Sequence, residues 1–165
     1  MMFKTIRIVV ALTVTVLFCS TGYTEEAPEA HKTINLSPET LVLLQAEMRE
    51  LSVASQAIVI SYVSGDWTSI QRISEQIRTS YVMDQNLTDA QKQELADKLP
   101  EGFKRLDVDF HSRADRLESA AAKENSELVA FHYYRLLESC ATCHSEYAAS
   151  RFPGFSSSET DVHQD

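Results

Sequence analysis

The sequence predicts an all-α chain folded as an antiparallel four-helix bundle. Three observations carry this. Glycine and proline occur four times each in 165 residues, so long stretches contain neither. Those stretches carry apolar residues at alternating spacings of three and four, the period of a helix with one buried face. No segment shows the strict alternation of a half-buried strand, and no internal repeat is present.

The elements follow from caps and breakers. Ser37 followed by Pro38 is a helix start, with the hydroxyl as cap and the proline at the first helical position. The first helix runs to about Ser64 and stops at Gly65. Its apolar stripe is Leu41, Leu44, Met48, Leu51, Ser55, Ile58 and Tyr62. Asp66 caps the second, whose stripe is Trp67, Ile70, Ile73, Ile77 and Tyr81 and which fades near Asp84. Thr88 and Gln91 have capping-box spacing, so a short helix lies in the connection before Pro100. The third main helix covers about 101–123, burying Phe103, Leu106, Phe110, Leu117 and Ala121. "KEN" is the turn. The fourth covers about 126–150 until Pro153 and Gly154 break it.

The first 24 residues read as an export signal: Lys4 and Arg7, an apolar run from Ile8 to Phe18, then small residues that offer cleavage near residues 22 to 24. The run is short for a membrane span. The expected organisation is a signal at 1–24, a polar linker at 25–37, a helical domain at 38–152 and a flexible tail at 153–165. The expected location is the bacterial periplasm. Two of the fifteen basic residues and none of the twenty-four acidic ones leave with the signal, so the net charge moves from −9 to −11. Such a chain is a poor partner for nucleic acid or an anionic membrane, no stable membrane insertion is expected, and a basic protein partner suits it.

Cleavage also removes Cys19, leaving Cys140 and Cys143 in "ESCATCHSEY". A pair at this spacing can be a redox dithiol, half of a zinc site or an attachment point for haem. Zinc needs two further soft ligands, and no second cysteine pair remains. A thioredoxin-like dithiol belongs at a helix start after a strand, whereas this pair lies near a helix end. On the fourth helix the inward stripe is Val129, His132, Leu136, Cys140, Cys143 and Tyr147. Cys-x-x-Cys-His is the attachment signature of c-type haem: two thiols add to the two vinyl groups, and His144 supplies an axial nitrogen to iron. One covalently attached haem c is therefore the expected cofactor.

With the motif near the end of the last of four helices, and Tyr147 three residues after His144, the chain resembles the class II c-type cytochromes, the cytochrome c prime group. The resemblance covers about residues 38–150. It implies a four-helix bundle with haem attached near the C-terminal end of the last helix, an electron-transfer role with a redox partner protein, and a homodimer, for which Val42 and Val59 are candidate contacts. It implies no enzyme activity, and no constellation of nucleophile, base and orienting group stands out. A basic residue often follows the tyrosine in that family; here Ala148 does, and Arg151 comes later.

The resemblance also makes the opposite face of the haem decisive. Some members ligate a methionine of the first helix and carry electrons; others leave five-coordinate iron that binds nitric oxide or carbon monoxide. Met48 stands about 15 Å into the first helix and His144 about 9 Å from the end of the fourth, at ~1.5 Å per residue, so antiparallel packing brings them to similar levels. Met48 is either the sixth ligand or core filling. Phe110 and Tyr147 are expected in the haem pocket. His132, twelve residues before His144, is about 18 Å away and cannot reach the opposite face of the iron; His111 is expected on a flank. Phe103, Phe131, Tyr133, Tyr134, Phe152 and Phe155 are expected around the pocket, with "RFPGF" folding back over the attachment edge. A haem-free helical protein with a redox dithiol is the third reading.

Overall fold

The computed structural model describes residues 32–155, which are helical throughout apart from turns and connections. The expected export signal, the expected linker as far as residue 31 and the tail from residue 156 lie outside the described residues. The elements are α1 (Pro38–Ser64), α2 (Trp67–Arg78), α3 (Met83–Asn86), α4 (Asp89–Lys98), α5 (Glu101–Ala122), α6 (Ser126–Tyr147) and a 3-10 turn at Pro153–Phe155. Among them, α2 packs on α1 and α5, and α5 on α6. Buried Ile58, Ile70, Ile77, Leu117, Val129 and Leu136 form the centre of the core.

The boundaries follow from local chemistry. Ser37 accepts from the Thr40 N–H with Pro38 behind it. Gly65 closes α1 at φ 70°, a left-handed conformation open to glycine at little cost, and donates back to Ser61 and Tyr62 carbonyls. Asp66 accepts from Ser69 N–H at 3.0 Å, and the Ser69 hydroxyl, then this N–H, hold its carboxyl below the usual carboxylate range. Thr88 and Gln91 close the capping box that starts α4. The two long final helices, α5 and α6, lie where expected, although α6 ends at Tyr147 rather than Ser150.

Two expectations are corrected. The second helix ends at Arg78, not near Asp84, because the chain turns at Ser80 with φ 64°. Beyond that turn, one carboxylate does what a helix would have done. Glu47, 4% exposed, accepts from the N–H groups of Tyr81, Val82 and Met83 at 3.0, 2.6 and 3.2 Å. The second correction concerns α1. Besides Ile58, its buried residues are Thr40, Glu47, Ala54 and Ser61, seven residues apart, with Thr40 bonded to Glu94 of α4. Of the apolar stripe predicted from periodicity, Ile58 is buried in the core, Ser55 and Tyr62 meet α6, and Leu41 and Met48 stay partly exposed.

Glu94 of α4 ties down the start of α1. Its carboxylate accepts from Ser37 N–H at 2.6 Å, Ser37 Oγ at 2.7 Å and Thr40 Oγ1 at 2.5 Å, and pairs with Lys98 at 2.8 Å. Led by the Lys98 bond, these donors lower its pKa to about 2.

Two predictions follow from these carboxylates. Glu47→Ala leaves three inward N–H groups without their acceptor and lowers unfolding stability by about 3 kcal/mol in urea titration, since bonds to a charged acceptor contribute ~1.5–3 kcal/mol each and burial of the charge offsets part of that. Glu94 has a folded pKa below its unfolded value. Its contribution is therefore present above about pH 4.5 and is lost as pH falls toward about 2. Glu94→Gln accordingly lowers Tm at pH 6 and has a diminishing effect as thermal scans approach pH 2.

Candidate functional site

The motif lies on the last two turns of α6, and two neighbours define its surroundings. Toward α1, Tyr133 Oη donates to Ser55 O at 2.9 Å, and Tyr62 Oη donates to Ser126 O at 3.3 Å. Both bonds report one antiparallel register, seven residues along α1 matching seven along α6. Tyrosine side chains, more than direct backbone packing, join these two helices. Extended toward the motif, the register sets Met48 level with Cys140 and Leu44 level with His144.

Toward α5, Phe103 meets the Tyr147 ring edge-on at 5.3 Å, and Arg113 donates to the Arg135 carbonyl and pairs with Glu138 at 2.9 Å. Here Phe110, seven residues after Phe103, stands level with Cys140. The motif is therefore split between two faces. Tyr133, Leu137, Cys140 and His144 recur at helical spacing along the α1 seam, whereas Cys143 and Tyr147 share the α5 side.

Both thiols are half-buried and free. Cys140 Sγ lies 3.5 Å from the Leu136 carbonyl. Burial raises its pKa. The Cys143 thiol is pushed up to about 11, first by burial and then by Asp107, Cys140 and Glu146. These thiols stay protonated at neutral pH. His144 moves the other way: burial, then the Arg151 charge, lower its pKa, so the ring is held neutral. Arg151 thus sets positive charge beside His144 although Ala148 occupies the position after the tyrosine. The Phe152 ring stacks on His144, 4.4 Å between centroids and 15° between planes. The segment after α6 does fold back over the histidine.

Tyr147 is the tightest fit at the site. Its hydroxyl oxygen is buried with no hydrogen-bond partner among the described residues and sits where a Cβ on Gly102 would approach to 2.5 Å. Lys32 lies beside the ring, 5.6 Å from its centroid, and pairs with Glu146 at 2.9 Å. Glycine in the first turn of α5 is thus what lets the end of α6 lie close to α5.

Several expected residues fall elsewhere. Met48 is not a core residue: 41% of it is exposed, while its neighbour Glu47 takes the buried position. Phe131 and Tyr134 are exposed on the first half of α6, away from the motif, and Phe155 is exposed beyond its end. His132 is half-buried against Phe131, with its pKa lowered by burial and Arg116. His111 is a flank residue whose Nδ1 lies 2.9 Å from the Ile77 carbonyl; the Asp107 bond chiefly raises its pKa. Sequence reasoning missed Gly102 and Leu44. Gly102 carried a signal, a glycine in the first turn of a helix without any need to end one; Leu44 carried none beyond its place on the stripe.

The donor set is chemically specific. Two protonated thiols and a neutral imidazole within four residues suit a planar group that takes two thioether bonds and one nitrogen ligand. The half-exposed apolar Leu41 and Met48 on α1 leave apolar surface that such a group could cover. Among the described residues, no group of three or more His, Cys, Asp or Glu is placed to hold a bare metal ion.

The Gly102 contact gives a rescue experiment. Gly102→Ala lowers Tm despite the better helix propensity of alanine, because the added methyl meets the Tyr147 hydroxyl. In the Gly102→Ala/Tyr147→Phe double variant, thermal melts recover most of the loss, on the order of 1–3 kcal/mol for an overpacked site.

Compared with protein-family models, curated proteins and solved structures, the chain matches none.

Proposed function

We propose that this chain is a periplasmic c-type cytochrome of the class II kind: an exported four-helix bundle, formed by α1, α2, α5 and α6, that holds one haem c and transfers electrons. The observation that carries the reading is Cys140, Cys143 and His144 on one helix end beside the α1–α6 seam. Cys140 and Cys143 would hold the haem through one thioether bond each, the S–H adding across a vinyl group with no atom lost, and His144, held neutral, would give a nitrogen ligand to its iron. The group would supply a one-electron iron couple. Phe152 shields the imidazole from water, Arg151 sets a positive charge beside it, and both act on the potential of that couple.

Met48 is the proposed sixth ligand. Its level is one turn from that of His144, but side chains lean toward the N-terminus of their own helix. On antiparallel helices the two leans converge, each side chain moving toward the other's level. The second reading is a five-coordinate haem that binds nitric oxide or carbon monoxide. The observation favouring it is that Leu44, not a ligand, stands level with His144. A redox dithiol without haem is opposed by the Cys143 thiol at about 11, since exchange needs a thiolate. The expected partner is a redox protein with a basic docking face, matching the acidic chain.

Protein matured in a host with a c-type assembly system tests this. A pyridine haemochrome of the c type is expected from the wild type and from neither thiol after Cys140→Ser/Cys143→Ser. The ferrous protein is expected to be low-spin and slow to take carbon monoxide, with Met48→Ala turning it high-spin and fast. A wild type that is already high-spin and indifferent to Met48→Ala selects the gas-binding reading.

A further inference from the structure

Two contacts fix the register of α5 against α6: the Phe103 and Tyr147 rings meet edge-on, and Arg113 pairs with Glu138. One turn along each helix from the first of these stand Asp107 and Cys143, level with each other across the same interface. On its own helix, Asp107 Oδ1 lies 3.6 Å from Nε2 of His111. Nδ1 of that ring lies 2.9 Å from the carbonyl oxygen of Ile77, in the last turn of α2. A row of four groups thus runs from the attachment motif to the end of α2: Cys143, Asp107, His111 and the Ile77 carbonyl. We infer that His111 tunes the haem site by proton: its imidazolium neutralises the Asp107 carboxylate beside the Cys143 attachment, and loss of that proton bares the carboxylate and lowers the iron potential. The inference rests on the haem reading of the motif and adds a dependence on pH to it. His111 is a positioning residue in this account, since it touches no reacting atom and acts through Asp107.

The geometry selects the charged ring. Both ring nitrogens face acceptors, and only the doubly protonated imidazole has a proton for each. A neutral ring that donates to Ile77 would turn a lone pair toward the carboxylate. The carbonyl end of α2 carries partial negative charge, which also favours the cation. Surrounding charges agree. Glu47 of α1 adds negative charge, while Arg78, next to Ile77 on α2, is engaged by Glu118 at 3.0 Å and by Asp115. On α5 Asp109 is paired with Arg113, and across Asp107, on α6, Cys143 has Glu146 beside it, paired with Lys32. Asp107 first, then Ile77 and Glu47, raise the His111 pKa above the usual histidine value against the effect of burial. The side chain is 29% exposed, so protons reach it from solvent. Linkage sets the sign. The ferrous site has one positive charge fewer and binds the proton more tightly, so the same proton favours reduction. The potential is therefore higher while His111 is protonated and falls as pH rises through its pKa.

Potentiometric titration of the holoprotein from about pH 5.5 to about pH 9 tests this, on samples whose covalent haem is first established by intact mass. The equilibrium constant for reduction is expected to fall by about threefold or more, ~28 mV for one electron. The ring protons of His111 are expected to titrate at higher pH in the ferrous than in the ferric protein by NMR. His111→Gln, which can still donate to Ile77 but carries no charge, should lie below the wild type at acid pH and meet it at alkaline pH. Any step left in that variant belongs to the haem's own carboxylates. Asp107→Asn should lie above the wild type at alkaline pH and move the His111 titration to lower pH. A step of equal size in the wild type and His111→Gln, or a shift of both variants in the same direction, overturns the proposal. Protein without covalent haem overturns the haem reading along with it, whereas haem with a potential independent of pH overturns this proposal alone. Should His111→Gln fail to fold, Asp107→Asn against the wild type makes the same comparison.

Discussion

The α1–α6 seam is the constraint on which the rest of the site depends. Two tyrosines reach across it to backbone carbonyls, Tyr133 to Ser55 and Tyr62 to Ser126, and they fix register while keeping the helices a side chain apart. A close leucine-to-leucine seam would have left the motif facing a wall. Because the tyrosines cluster at one end, the other end keeps half-exposed apolar side chains on α1 opposite Cys140 and His144. On the other flank α6 is held tightly, by Tyr147 over Gly102 and by Arg113 to Arg135 and Glu138. One side of the motif is thereby fixed and the other accommodating, which is the asymmetry that insertion of a rigid planar group requires.

Charge around the motif has a consistent sense. Burial acts on all three donor groups and favours their neutral forms, raising the two thiols and lowering the imidazole. Neighbouring charges reinforce two of these shifts: Asp107 and Glu146 hold the proton on Cys143, and Arg151 opposes a proton on His144. A dithiol exchange centre calls for the reverse, a low thiol pKa in an electropositive setting. Neutral thiols and a neutral imidazole are the forms in which thioether bonds and an axial ligand are made.

Local chemistry was legible in the sequence. Caps at Ser37, Asp66 and Thr88 and the stop at Gly65 depend on residues within four of each other, and each appears as read. What stayed hidden depends on distant partners. Glu47 looks like a surface charge on a helix, and only the return of residues 81–83 makes it a buried acceptor. Apart from Ile58, the buried residues of α1 are Thr40, Glu47, Ala54 and Ser61, polar or small, so hydrophobic periodicity pointed one residue away from them. Met48 was read correctly as part of the apolar stripe and wrongly as buried, because periodicity reports which face is apolar and not how closely a neighbour approaches. The stacking of Phe152 on His144 depends on a turn after α6, where Pro153 and Gly154 announced only that the helix would end.

The central claim is that Cys140 and Cys143 hold a haem through covalent bonds, and intact mass under denaturing conditions tests it most directly. Protein purified from a host with a c-type assembly system should have, after unfolding in acid and organic solvent, the mass of the mature polypeptide plus one haem, with peptide mapping assigning the addition to the segment bearing both cysteines. A chain of polypeptide mass alone, with two thiols still open to alkylation, would contradict the account.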